Sequence, residues 1–359
     1  MNNEAGDQRM NRMNASADGR KRVRRGIGKL AGASVALLVV AWAIALTVMQ
    51  PRADRTWAAQ HAIMAHADVR GDSLHIHQMR NFTYTSEEQF TPAYDDRDYD
   101  LSKLETVWFI VTPFSKTWRG PAHTFVSFGF SDSQYVAISV EARREPTETY
   151  SALTGLFNQF EVIYVVGDER DLIGSRAVYG GYDVYVYPIR TTPARARTLF
   201  TEMLTRSNAL ATKPEFYNTL TNNCTSNIVD HVNRIVPRAV PHGIRTILPG
   251  YADGVAYSLG LIDNSISLDE ARRRFRVNVQ ARRYATSPEF SRRIRSPDGV
   301  APSVSPVIPS VNVVIPSVSE ASARDLLCET RSRPKQHYAT QKPQSARSPQ
   351  KHRLLEAAI

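Results

Sequence analysis

The chain has 359 residues, 42% of them apolar and 22% charged, with a net charge of +10; this is ample for a folded core with flanks. The basic excess lies in the flanks: residues 1–29 hold eight Lys/Arg against three Asp/Glu, and the stretch between the flanks is nearly neutral. That excludes a nucleic-acid binder, whose folded domain should itself show a basic face. The two cysteines, Cys224 and Cys328, exclude a disulfide framework, and no CxxC suggests zinc.

In chain order, residues 1–29 form a basic segment expected to stay in the cytoplasm. Residues 30–51 contain no charge and reach the roughly 20 apolar residues needed to cross a bilayer. The Arg20–Lys29 cluster ahead of them predicts a single-pass anchor with the N-terminus inside and the following domain outside. A cleaved signal peptide would have a shorter apolar region, about 7–15 residues. Residues 52–80 read as a polar juxtamembrane linker. Its histidines, His61, His66, His75 and His77, match no standard zinc spacing, and the reading is of scattered linker histidines with no metal.

Residues 81–190 read as mainly β. Apolar or alternating runs at 106–112, 123–130, 135–140, 160–166 and 183–187 are rich in β-branched and aromatic residues. Residues 151–158 form a loop or short helix, and Glu169-Arg170-Asp171 a salt-bridged turn rather than a head-group site. Pro193 opens a helix with Leu199, Met203 and Leu210 on its buried face. A second helix follows Cys224, with Ile228, Val229, Val232 and Ile235 on one stripe. From residue 297 the Pro/Ser-rich composition predicts a disordered tail to 359, which includes Cys328. The folded domain is therefore expected at 81–296.

The residues that carry chemistry centre on Cys224. Asn222 or Asn223 can cap the helix it begins, and the positive end of a helix dipole favours a thiolate. His123, at the start of a strand, offers a rigidly mounted base. If strands 123–130 and 135–142 form a hairpin, Glu141 lies beside His123 as its orienting carboxylate, with Ser139 on the same face by the two-residue period. The Cys224 backbone N–H is a natural oxyanion donor; Asn222, Asn223 and Tyr217 are candidate pocket residues. His231, two helical turns past Cys224, is too far along the same helix to act as its base.

The strings VWFIVTPF, AHTFVSFGF, AISVEARRE, YSALTGLFNQFEVIYVVGDERDLIGSRA, VYVYPI, PEFYNTLTNNCTSNIVDHVNRI and LPGYADGVAYSLGLID resemble the Lnb N-terminal periplasmic domain family over roughly residues 78–295. The resemblance implies a permuted papain-like (NlpC/P60-like) α+β core, with an antiparallel sheet packed on the Cys-bearing helix. It further implies Cys224 as nucleophile, His123 as base, no cofactor, and a periplasmic domain held at the bacterial inner membrane. The family's named member, a lipoprotein N-acyltransferase, has several membrane spans where this chain shows one. The expected function is acyl transfer on a membrane lipid or lipoprotein through a cysteine acyl-enzyme. The alternatives are a thiol peptidase or amidase of the cell envelope and a non-catalytic envelope binding module.

Overall fold

The computed structural model describes residues 29–30, 32–44, 49–241, 243 and 248–295. The basic segment and the Pro/Ser-rich tail lie outside these residues. The anchor expected at 30–51 lies partly outside them. Residues 29–30 and 32–44 are helical. Among the described residues no helix is long and apolar enough to cross a membrane. The chain divides at Pro51 into an N-terminal unit and a larger unit that begins at Arg52.

The larger unit is α+β. Its main sheet has the order β1-β2-β9-β8-β7-β6-β10, with β5 paired to β2 off that path. These strands are β1 His66–Arg70, β2 Ser73–Arg80, β5 Tyr94–Asp100, β6 Leu104–Pro113, β7 Ala122–Phe130, β8 Tyr135–Arg143, β9 Glu161–Gly167 and β10 Tyr185–Pro188; β3 Thr83–Tyr84 and β4 Phe90–Thr91 form a separate ribbon. The strands expected from apolar runs correspond to β6, β7, β8, β9 and β10. The sheet is mixed rather than purely antiparallel, because β2 meets β9 in parallel through Arg80 and Gly167.

Residues 52–80 are not a linker. They supply β1 and β2 and bury His61, Leu74, Ile76 and Met79. The period-2 apolar signal there is short and broken by polar residues on the outer face, which gives it a linker's composition. Strands β6 to β9 have the opposite character. They are apolar on both faces because both are covered, and continuous apolar runs follow. On the first face, Val126, Phe128, Ile138 and Tyr164 pack against helices. These are α2 (Pro193–Thr212), α3 (Cys224–Ile235) and α4 (Ala252–Ser258). On the second face, Phe125, Ala137, Ile163 and Val165 meet Leu172, Ala177, Ala281 and Phe290. Those residues come from α1 (Glu169–Leu172), a π-turn (Ser175–Tyr179), α6 (Asn278–Arg283) and α7 (Phe290–Arg293); α5 is Leu268–Arg274.

Thr192 caps α2 ahead of Pro193, and Leu199, Met203 and Leu210 are buried as the spacing predicts. The expected salt-bridged turn at 169–171 is the short helix α1. Its Asp171 makes a fully buried bidentate pair with Arg80, at 2.9 Å for both bonds, and also accepts from the Phe82 N–H and the Tyr84 hydroxyl. Glu169 is paired with Arg295. The loop before α4 packs closely: a Cβ on Gly250 would overlap the Arg119 carbonyl, so only glycine fits there.

Candidate active site

Cys224 is the first residue of α3. Asn223 is its N-cap, accepting from the Thr225 and Ser226 N–H groups, while Ser226 Oγ accepts from the Asn223 N–H in a reciprocal capping box. Three backbone amide donors are satisfied this way. The Asn223 side-chain amide also donates to the Thr219 carbonyl. Asn222 donates to the Phe216 carbonyl and accepts from Asn227. Both asparagines thus help to hold the loop.

The thiol is buried, with 3% of the residue exposed, rather than in the half-open cleft expected of a reactive cysteine. It lies beside Tyr217 and Tyr150, whose hydroxyls are 3.4 Å apart and whose rings meet edge to face. Burial first, and the nearby Cys224 second, push the Tyr217 hydroxyl well above its ordinary range. It remains a neutral donor. The Cys224 backbone N–H faces this hydroxyl, so Tyr217 packs beside the cysteine. His231 bonds the Tyr164 hydroxyl at 2.9 Å. Burial, then the Arg234 and Arg206 charges, lower it to about 4, in keeping with a structural role.

His123, Ser139 and Glu141 come together as a linear relay. Ser139 Oγ donates to Glu141 Oε1 at 2.7 Å and therefore accepts from His123 Nε2, 2.6 Å away. The sequence expectation placed Glu141 directly on the imidazole. Ser139 instead stands between them, leaving His123 Nε2 and Glu141 Oε1 3.8 Å apart. The free nitrogen of the His123 ring is then Nδ1. Glu141 also accepts from His61 Nε2 at 3.1 Å and from Arg176 at 2.8 Å. Neither of these partners was visible in the sequence, since both lie far from Glu141 along the chain. Burial alone would raise the Glu141 carboxyl, but the Arg176 guanidinium and the His61 hydrogen bond hold it well below the usual carboxylate range. Burial, and next the Arg176 charge, push His123 down to about 3. The ring is neutral at any physiological pH.

No hydrogen bond joins Cys224 and His123. The pleat explains why. His123 and Phe125 share the second face, their rings stacked 5.5 Å apart. Thr124 points to the first face, where its hydroxyl bonds that of Thr225 at 2.9 Å, next to the cysteine. Helix and imidazole thus address neighbouring residues of one strand from opposite sides. The β7–β8 ladder runs from Gly129↔Tyr135 to Val126↔Ile138 and stops. Beyond it β7 pairs with β6 alone and β8 with β9 alone, and the His123–Ser139 contact bridges the gap.

An apolar cavity starts one residue past the thiol. Thr225, Ile228 and Val232 of α3 form one wall, Phe109 and Val126 of the sheet another, and Val255 of α4 a third. Fold and site together define an α+β domain with a capped, buried cysteine at a helix start and a polar His–Ser–Glu relay in a split of its sheet. Residues 90–250 match the family model of the Lnb N-terminal periplasmic domain. This bears out, over that stretch, the resemblance read from the sequence. Strands β1 and β2 lie outside the matched stretch, although they belong to the same sheet. No curated protein and no solved structure matches the chain.

Proposed function

We propose that this is a thiol enzyme of the cell envelope, built on a permuted papain-like core, that transfers acyl chains through Cys224. The observation that carries the reading is the position of Cys224 at a capped helix N-terminus, on the helix that walls an apolar cavity suited to a hydrocarbon chain. A dipole at that end stabilises developing negative charge, and the cavity would hold the chain of a lipid or lipoprotein donor. His123 serves as base through the gap between β7 and β8, by Nδ1, with Ser139 and Glu141 orienting the ring. Because the ring is only weakly basic, it keeps no standing ion pair with the thiol, and proton transfer accompanies attack on the carbonyl. The thiolate displaces the donor's alcohol, to which the imidazolium returns the proton, and an amine then resolves the thioester.

A membrane anchor at 30–51 completes the proposed organisation. With an anchor the enzyme would face its donor at high local concentration.

Incubating the protein with a diacylated lipoprotein and reading intact mass tests this. The expected result is an acyl adduct on Cys224 that is absent from Cys224→Ala, with N-acylated lipoprotein as product. Free fatty acid or cleaved peptide in its place would favour hydrolysis. The burial of the thiol and its lack of a bonded base favour one rival, a binding module with an inert cysteine. Absence of any adduct, together with unchanged envelope function of Cys224→Ala, would establish that rival.

A further inference from the structure

Three strands of the larger unit bring a second group of chemistry-bearing residues together, far from Cys224 in sequence. The register sets His66 opposite His77 and Asp68 opposite His75 across β1 and β2, and His75 opposite Asp98 across β2 and β5. By the two-residue period, His75 and His77 project from the same face. That face lies opposite the one on which Leu74 and Ile76 are buried, and it is open to solvent. A bulge falls between Ile76 and Met79. There Gln78 takes a left-handed φ of 55° and its N–H donates to Asp96, which turns that carboxylate towards the histidines.

We propose that His75, His77 and Asp96 form a binding site for a divalent transition-metal ion of the zinc type. Their ligand atoms lie within 4.8 Å of one another, and the two rings are 4.2 Å apart between centroids. Ligands about 2.0–2.1 Å from a tetrahedral zinc are about 3.3 Å from each other. Closure therefore asks these half-exposed side chains to move by little more than an ångström.

The second observation is the outer ring of carboxylates. Asp98 holds His75 Nδ1 at 2.6 Å, leaving Nε2 for a metal. Asp68 holds His77 Nε2 at 3.2 Å, leaving Nδ1, which already lies 3.6 Å from Asp96. A carboxylate behind each ligating imidazole fixes its tautomer and raises its donor strength. Among the described residues, the ion pairs of Asp68, Asp96 and Asp98 are made with histidines rather than with Arg or Lys. Two imidazoles with a carboxylate suit zinc and its neighbours better than calcium or magnesium. Three protein ligands leave a fourth position open.

The test is a Co2+ titration of the full-length chain, followed by visible absorption, with Zn2+ as competitor. One equivalent of Co2+ should give ligand-field bands that one equivalent of Zn2+ abolishes. His75→Gln, His77→Gln and Asp96→Asn should each weaken binding at least about tenfold, and Asp98→Asn about 10- to 100-fold. Circular dichroism of the metal-free variants should match the parent, which separates lost ligation from lost folding. Binding of equal strength in a His75→Gln/His77→Gln double variant would overturn the assignment, as would a Kd for Zn2+ weaker than about 0.1 mM in the parent. Both readouts are independent of Cys224 chemistry.

Discussion

His123 should make the fold acid-sensitive by an amount that its own substitution reveals. The unfolded ring has a pKa of about 6.5, and in the folded protein burial and Arg176 lower it to about 3. Between those values the unfolded chain binds the proton and the folded one does not. The contribution is therefore fully present above about pH 6.5 and is lost progressively as pH falls towards 3. From pH 7.5 to 5.0 the span below the unfolded pKa is about 1.5 units, or about 2 kcal/mol at 1.36 kcal/mol per unit. With a urea m-value of about 2–3 kcal/mol/M, this shifts the midpoint by about 0.7–1 M. Of the charged groups facing the ring, Arg176 does not titrate and Glu141 is held ionised. His61 and His231, also depressed by burial, add acid sensitivity of the same sign to parent and variant alike. Urea unfolding at both pH values is the assay. His123→Gln can be less stable throughout, yet it should lose about 2 kcal/mol less than the parent between pH 7.5 and 5.0. Equal losses in the two proteins would refute the buried neutral imidazole.

Two further outcomes are expected. Asp171→Ala strands the buried Arg80 guanidinium and should cost about 3–5 kcal/mol, whereas an Arg80→Met/Asp171→Leu double replacement should recover most of it; thermal melts of the three proteins read this directly. Asn223→Ala removes the cap from α3 and should cost about 1–2 kcal/mol, with slower acyl-adduct formation at Cys224 if the helix start is the catalytic element; unchanged kinetics in a destabilised variant would confine Asn223 to folding.

Local patterning determined the elements of this protein. The runs behind β6 to β10, the Thr192–Pro193 start of α2 and the Asn223 cap of α3 are written in a few adjacent residues each, because capping and side-chain periodicity are short-range. The same locality brought out Ser139 and Glu141 as residues of one face and the family resemblance over the matched stretch. What neighbouring residues cannot encode is which strand lies beside which, and on which side of a sheet a helix settles. The tertiary structure therefore decided that residues 52–80 are strands of the core rather than a linker, since half their apolar pattern is hidden by an outer face built for solvent. It decided too that His61 and Arg176 converge on Glu141. It gave the histidines of β2 carboxylate partners from β1 and β5 that no spacing along the chain reveals. Above all it decided the relation of Cys224 to His123. Strand alternation turns adjacent residues to opposite faces, so a helix docked over Thr124 lies on the other side of the sheet from the imidazole.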